Sequence, residues 1–166
     1  MPNLKHEDVC TLLKNPEDKD ILTRKLFDVN LRLMKTSPDY KSIVLCACEY
    51  IRELAMTERE GYKKPHGFSG ANAGIPWNII ALADGTVMIN PKIISNCTGS
   101  IIHGKSNCGS LLLPEAIEVY RWKRIAFTFW DRDLVFNQWE GYYPTVQHEI
   151  DHNNGILITD RKVENG

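Results

Sequence analysis

The segment Gln147-His148-Glu149-Ile150-Asp151-His152-Asn153-Asn154-Gly155, close to the C-terminal end of a 166-residue chain, restricts the fold more than any other stretch. Two histidines four residues apart share a face only on a helix, where positions i and i+4 lie one above the other. From there both imidazoles can reach one divalent ion at ~2.0–2.1 Å, and the remaining ligands must come from elsewhere in the chain. A fold that uses the pair therefore has to pack this helix against a second ligand-bearing segment. Glu149 is rotated by about 100° from His148, close enough to take a proton from a water held on the ion and to hand it on, first as general base and then as acid. Asp151 flanks the histidine stripe, where it orients a ligand imidazole or pairs with a surface base. The plainer alternative is a polar helix end that happens to contain two histidines. The helix is expected to begin near Tyr143-Pro144, since proline is tolerated in a first turn, and to end where Gly155 can turn left-handed.

A third ligand decides between these readings. The candidates are His6, His66 and His103, the cysteines and many carboxylates. The five cysteines are odd in number and irregularly spaced in a chain large enough to fold without covalent staples, so they read as thiols rather than disulfides. Cys108 stands out because it lies in HGKSNCGSLLLP, a small polar loop before a strand, from which a thiolate can project into a cleft. His103, five residues earlier, is its rival. Cys46 and Cys48 fall within a helical stretch and read as buried, inert thiols.

The rest of the chain supplies a scaffold. Asn15-Pro16-Glu17-Asp18 looks like a helix start, and the following ILTRKLFDVNLRLMK mixes helical periodicity with extended character. In SPDYKSIVLCACEYIRELAMTERE, Ser37 can cap and Pro38 suits the first helical position. Ile43, Ala47, Tyr50, Ile51 and Leu54 recur at helical steps until Gly61 stops the helix. WNIIALADGTVMIN is two β-rich runs around Asp84-Gly85, a hairpin signal, and Asn90-Pro91 is expected to end the second run. AIEVY, RIAFTFW and LVFNQWE continue in the same short, aromatic and β-branched style. The Gly-, Asn- and Ser-rich regions near 67–74 and 95–110 read as loops. The expectation is an α+β fold, with antiparallel strands packed around a motif-bearing C-terminal helix, as one domain over residues 1–166.

Composition removes several classes of function. The formal charge of -1, with Lys and Arg dispersed, gives no basic stripe for direct nucleic-acid binding. No apolar run approaches the ~20 residues that span a bilayer, and MPNLKHEDVC is too polar for a secretory segment, so a soluble, cytoplasmic protein is expected.

Together these residues resemble the peptide deformylases, metal hydrolases that remove the formyl group from the initiator methionine of nascent chains. Gln147 through Gly155 reproduces the family's third motif, Q-H-E-x-D-H with a glycine three residues on. The second, E-G-C-L-S, is matched by Ser106-Asn107-Cys108-Gly109-Ser110 in its cysteine and serine only. The first, G-x-G-x-A-A-x-Q, is the weakest: GFSGANAG has Gly67 and Ala71 in place, but Ser69, Asn72 and Gly74 where Gly, Ala and Gln are expected. Val119, Arg121 and Ile125 are similar to a family strand pattern, and INPKI and GILITDR to further segments, so the likeness covers about residues 61–162.

The resemblance implies Cys108, His148 and His152 as ligands of one divalent ion, ferrous iron expected and zinc, nickel or cobalt possible. It implies Glu149 as the acid–base group, the Gly109 backbone N–H as an oxyanion donor, and Gly67, Phe68 and Ser69 along the backbone of an N-formyl-methionyl peptide. Phe68 has a core role as its alternative. The partner would be such a peptide, with the ribosome as a place of encounter. Gly74 has no side chain to replace the family's glutamine amide, a type of donor whose loss costs ~2.7–4 kcal/mol. Asn72 carries the same amide on a shorter stem and either swings in or simply holds the loop. Because the chain ends soon after the motif helix, a short form is implied. Two other readings stand beside an active deformylase: a metal-dependent amidase or peptidase with a different substrate, and a non-catalytic decoy with a structural ion. Glu149 weighs against the decoy, since a structural ion needs no base.

Overall fold

The computed structural model describes residues 22–57, 66–111 and 115–163. The helix start expected at Asn15-Pro16 lies outside these residues, as do His6, Cys10 and Gly61. Residues around Lys25 and Phe27 are extended, each forming an isolated β-bridge, before a short helix α1 (Leu31–Thr36) capped by Asn30. Helix α2 (Pro38–Met56) starts as the sequence suggests: the Ser37 hydroxyl accepts from the Tyr40 N–H, and Pro38 opens the first turn.

Two details of α2 differ from expectation. It ends at Met56 with Thr57 as its cap, before Gly61 is reached. Its buried stripe is Val44, Cys48, Ile51 and Ala55 with Tyr50, whereas Ile43 is exposed. The apolar residues are nearly continuous here, so periodicity alone leaves the face uncertain by one position, and contact with the sheet decides it. Cys48 is accordingly buried, its thiol pushed up to about 12 by desolvation, while Cys46 is exposed rather than buried.

Strands β1 (Gly67–Ser69), β2 (Ile79–Leu82), β3 (Val87–Ser95), β6 (Ile125–Trp130) and β7 (Phe136–Gly141) form an antiparallel sheet in the order β1-β2-β3-β6-β7. Strands β4 (Ile101–Ser106) and β5 (Ile117–Trp122) form a separate antiparallel ribbon. The Asp84-Gly85 hairpin joins β2 to β3, with Gly85 at φ +90° and the Asp84 carboxylate accepting from the Thr86 N–H. Asn90-Pro91 does not end β3. The strand runs through Pro91 by a register shift against β6 between Ile89 and Lys92, the irregularity at which a strand tolerates proline. Asn90 takes the left-handed conformation there and uses its side-chain amide to bond both backbone groups of Val29. β1 and β4 fall within the stretches expected to be loops. Both are short, and β4 is largely exposed, so neither carries an alternating apolar pattern.

Helix α3 (Pro144–Asn153) packs on the sheet face opposite α2. The alternation along β2 makes this visible: Ile79 and Ala81 join Val44, Ile51 and Ala55 of α2, whereas Ile80 joins Met88, Phe127, Val146 and Ile150 on the α3 side. A strand covered on both faces reads as the continuous run Ile-Ile-Ala-Leu instead of alternating with polar residues.

Candidate metal centre

α3 is a polar helix that is nonetheless buried: Gln147, Glu149, Asp151, His152 and Asn153 are all shielded from solvent. Burial of such groups is tolerable only if they find partners, and the partners fix the helix in register. The Gln147 amide pairs like a strand with Trp122 of β5, accepting from its N–H and donating to its carbonyl at 2.9 Å each. Asn153 accepts from the Ala71 N–H and donates to the Ile79 carbonyl, which ties the last turn to β2 and the turn after β1. Asp151 holds two guanidinium groups, buried Arg121 at 2.6 Å and half-buried Arg161 at 2.8 Å, so it anchors the helix through bases that are not simply at the surface. Gly155 ends the segment at φ +75°, where a Cβ would stand 2.4 Å from the Thr23 carbonyl oxygen. At the other end the Tyr143 ring meets Phe127 edge-on, with centroids 5.2 Å apart.

With α3 held at both ends, His148 and His152 face the loop that follows β4. Cys108, buried in that loop, places its Sγ 3.3 Å from His152 Nε2, and His152 Nε2 lies 3.1 Å from His148 Nε2. All three donor atoms fall within 4.8 Å of one another. Tetrahedral coordination at ~2.0–2.1 Å for nitrogen and ~2.3 Å for sulfur sets such atoms roughly 3.3–3.6 Å apart, and the two edges that meet at His152 lie close to that spacing, so the three residues could hold one ion. Exposed His103 on β4 is not part of it. Electrostatics favour a cation in the same place. Burial, followed by mutual and Arg121 repulsion for His148, pushes that imidazole down to about 3, and burial pushes His152 down to about 4. Both are therefore neutral at physiological pH, as ligands must be. Burial pushes the Cys108 thiol up, against hydrogen bonds from the Ser110 and Leu111 backbone and the Ser110 hydroxyl. A divalent cation would overcome that burial and favour the thiolate. His152 Nδ1 and Glu149 Oε2 are buried without a hydrogen-bond partner among the described residues.

Glu149 sits one residue from His148, and desolvation pushes it up to about 8, with Ser69 and then Arg121 pulling the other way. β1 crosses directly above it: a Cβ on Gly67 would stand 2.8 Å from the Thr145 methyl and 3.1 Å from Glu149 Cγ, so only glycine permits this approach. Phe68 is half-buried and packs on the α2 side, while Ser69 is fully buried. β1 is nevertheless the end strand of its sheet, with its backbone paired to β2 alone among the described strands. Gly109 is exposed next to Cys108, with nothing within 4 Å of where its Cβ would be. Gly74 lies in the turn at φ +67°. Asn72 is buried and committed at both ends, with Oδ1 receiving the Ser69 hydroxyl and Nδ2 donating to Ser110 Oγ. A cleft of about 280 Å³ opens at the start of α3, lined by His66, Leu82, Tyr142, Tyr143, Pro144 and Thr145 among others; none of the three donor residues lines it.

The sequence reading did not anticipate the Asp151–Arg161 pair, the proximity of Arg121 to His148 (3.2 Å to Nδ1) or the Ser69–Asn72–Ser110 contacts. The Arg121–His148 and Asn72–Ser110 contacts join segments 27 and 38 residues apart, and a single sequence has no local signal for them.

Residues 19–165 match the family described as polypeptide deformylase. Among curated relatives, the peptide deformylase of a Bradyrhizobium strain is 42% identical over 78 residues, 45% of this chain and 43% of the relative. That of Orientia tsutsugamushi is 42% identical over 79 residues, 44% and 41% respectively. The chain thus aligns with less than half the length of these relatives. Among solved structures, the Met-Ala-Ser-bound class I type b peptide deformylase of Acinetobacter baumannii superposes with a TM-score of 0.68 at 22% identity, over 86% of this chain and 92% of that one. The peptide deformylase of Thermotoga maritima gives 0.66 at 21% identity, over 87% and 92%.

Proposed function

We propose that this chain, which belongs to the polypeptide deformylase family, hydrolyses the formamide of N-formyl-methionyl peptides with one divalent ion held by Cys108, His148 and His152. The observation that carries the proposal is the convergence of these three donor atoms, from a loop and from adjacent turns of one helix, within 4.8 Å. When bound, the ion supplies Lewis acidity toward the formyl oxygen and toward water. Ferrous iron is the expected metal, with zinc, nickel or cobalt as substitutes.

Glu149 takes one proton from the attacking water as its oxygen bonds to the formyl carbon. It then delivers that proton to the peptide nitrogen, so that the C–N bond breaks to an amine and formate. Burial raises the Glu149 carboxyl in the metal-free chain, and a cation beside it would favour the carboxylate that has to take the proton. The Gly109 N–H donates to the formyl oxygen as negative charge develops on it. The open edge of β1 accepts the substrate backbone as an added strand, and the neighbouring cleft takes an apolar side chain. In this reading the roles of Gly67, Phe68 and Ser69 divide. Gly67 admits the close crossing over Glu149, Phe68 anchors the strand in the core, and the strand's backbone contacts the peptide. Nascent chains place this activity in the cytoplasm.

The test is formate release from formyl-Met-Ala-Ser by protein prepared anaerobically with iron, cobalt, nickel or zinc. Formate from at least one metal form is expected. A chain carrying one ion per molecule that releases no formate with any of them overturns the proposal, and cleavage of another amide instead would assign it a different substrate.

A further inference from the structure

The three donor atoms come from two separately built parts of the molecule. Cys108 follows the first strand of the β4–β5 ribbon, whereas α3 packs on the five-stranded sheet, so the distance from Sγ to the imidazoles depends on how the ribbon docks against the helix. Cys108 and His152 are 44 residues apart in the chain. A short turn links their surroundings. Past α3 the chain makes one 3₁₀ turn, Ile158–Arg161, whose first residue is fully buried in a small cluster with Cys108 and Val119, against which Leu111 and Ile117 pack. Its last residue reaches the helix: Arg161 Nε donates to Asp151 Oδ2 at 3.1 Å and Nη2 to Oδ1 at 2.8 Å. Asp151 lies between His148 and His152, so this fork grips α3 on the turn that carries the imidazoles. Arg161 is itself braced, with Nη1 3.3 Å from the Tyr120 hydroxyl and the guanidinium 5.5 Å from the centre of that ring. The backbone beyond it continues along β5, where Lys162 bridges to Val119 and the Val163 N–H donates to the Glu118 carbonyl at 3.0 Å.

We propose that this turn is a clamp that sets the donor triangle, with Ile158 and Arg161 as positioning residues: one holds the Cys108 loop and the other the ligand turn of α3. The proposal rests on the assignment of Cys108, His148 and His152 as ligands made above. Ligands bind an ion well only when packing and surrounding hydrogen bonds keep their donors within about 0.5 Å of the coordinating geometry. Arg121 and Gln147 tie α3 to β5, and the turn adds the link to the cluster that holds Cys108. Breaking either end of the clamp frees both halves of the site. The fork requires arginine, because a lysine in its place meets Asp151 as a point charge and loses the two-point grip.

The full-length chain saturated with cobalt(II) tests this through its visible ligand-field absorption, which reports the geometry of the donors and requires no turnover. Ile158→Ala removes packing from the Cys108 cluster, and Arg161→Ala releases Asp151. Each should shift and weaken the bands and speed transfer of cobalt to a chelator by roughly 10–100-fold, the usual cost of losing the support of a ligand. Ile158→Val should restore both readouts close to wild type, whereas Arg161→Lys should stay altered. The double alanine variant should change them little more than the stronger single variant, because both residues act through one turn. Ile51→Ala separates positioning from lost stability: it empties a core position on the α2 side of the sheet, destabilises the chain and should leave the spectrum at wild type. Spectra and transfer rates of Ile158→Ala and Arg161→Ala that match wild type, or that change only as much as those of Ile51→Ala, overturn the clamp. If Ile158→Ala folds poorly, the half-buried Arg161 decides through its alanine and lysine variants. A wild type that takes up no cobalt overturns the ligand assignment and the clamp with it. Formate release is not the readout, so failure of the clamp is distinct from failure of the deformylation proposal.

Discussion

Glu149 carries the sharpest expectation at the scale of single residues. Its carboxylate is buried next to a ligand histidine, lacks a partner for Oε2 among the described residues, and is raised to about 8 by desolvation. Glu149→Gln keeps the shape and removes the proton acceptor, while leaving Cys108, His148 and His152 untouched. The expected result is an unchanged metal content with formate release lowered by roughly 10²–10⁴-fold, the usual span of general acid–base catalysis. Full turnover in the variant would remove Glu149 from the proton path. The proximity of Glu149 to the histidines was legible from H-E-x-x-H, because helical spacing alone places them. Its partner Ser69 was not, because nothing local links position 69 to position 149.

At the scale of elements, α3, the hairpin and strand β5 of the ribbon were readable and its partner β4 was not. Pro144 and Gly155 bracket the helix through their own backbone restrictions, and Asp84-Gly85 turns the chain by the same kind of local chemistry. β4 escapes because Ile101–Ser106 pairs only with β5 and buries little, so its residues had no apolar pattern to keep. The face of α2 was misplaced by one residue for the opposite reason, since too many apolar residues compete for one stripe. The docking of α3 on β5 rests on Gln147, whose amide replaces a strand partner for Trp122. Gln147→Ala leaves one N–H and one carbonyl of Trp122 without that partner in a partly buried position. It should lower the unfolding free energy by about 1–3 kcal/mol, measured by urea denaturation of the metal-free chain. A change below a few tenths of a kcal/mol would mean that water substitutes there and that the helix is held elsewhere.

Across the whole molecule, the site is a cost that the two-sided packing of the sheet has to carry, and pH exposes that cost. In the metal-free chain His148 and His152 titrate at about 3 and about 4, against 6.5 when unfolded. Between those values the unfolded chain binds more protons than the native one, so stability rises with pH up to about 6.5. Glu149 has the opposite sign. Its native value of about 8 lies above the usual 4.5, the native chain holds the extra proton, and stability falls as pH rises through that interval. Two histidines outweigh one carboxyl below 6.5, and above it the carboxyl acts alone until about 8, where the raised Cys108 thiol begins to add a loss of the same sign. Metal-free protein should therefore be most stable near pH 6.5 and weaker at both pH 5 and pH 8. An ion reverses the alkaline limb, because it binds the thiolate and neutral imidazoles and is favoured as protons leave. The stabilisation on metal loading should consequently grow from pH 5 to pH 8. Urea midpoints of the stripped and loaded chain at pH 5, 6.5 and 8 measure both curves. A stripped chain more stable at pH 8 than at 6.5 would mean that Glu149 is solvated or already paired, and its place as the base poised near neutrality would go with it.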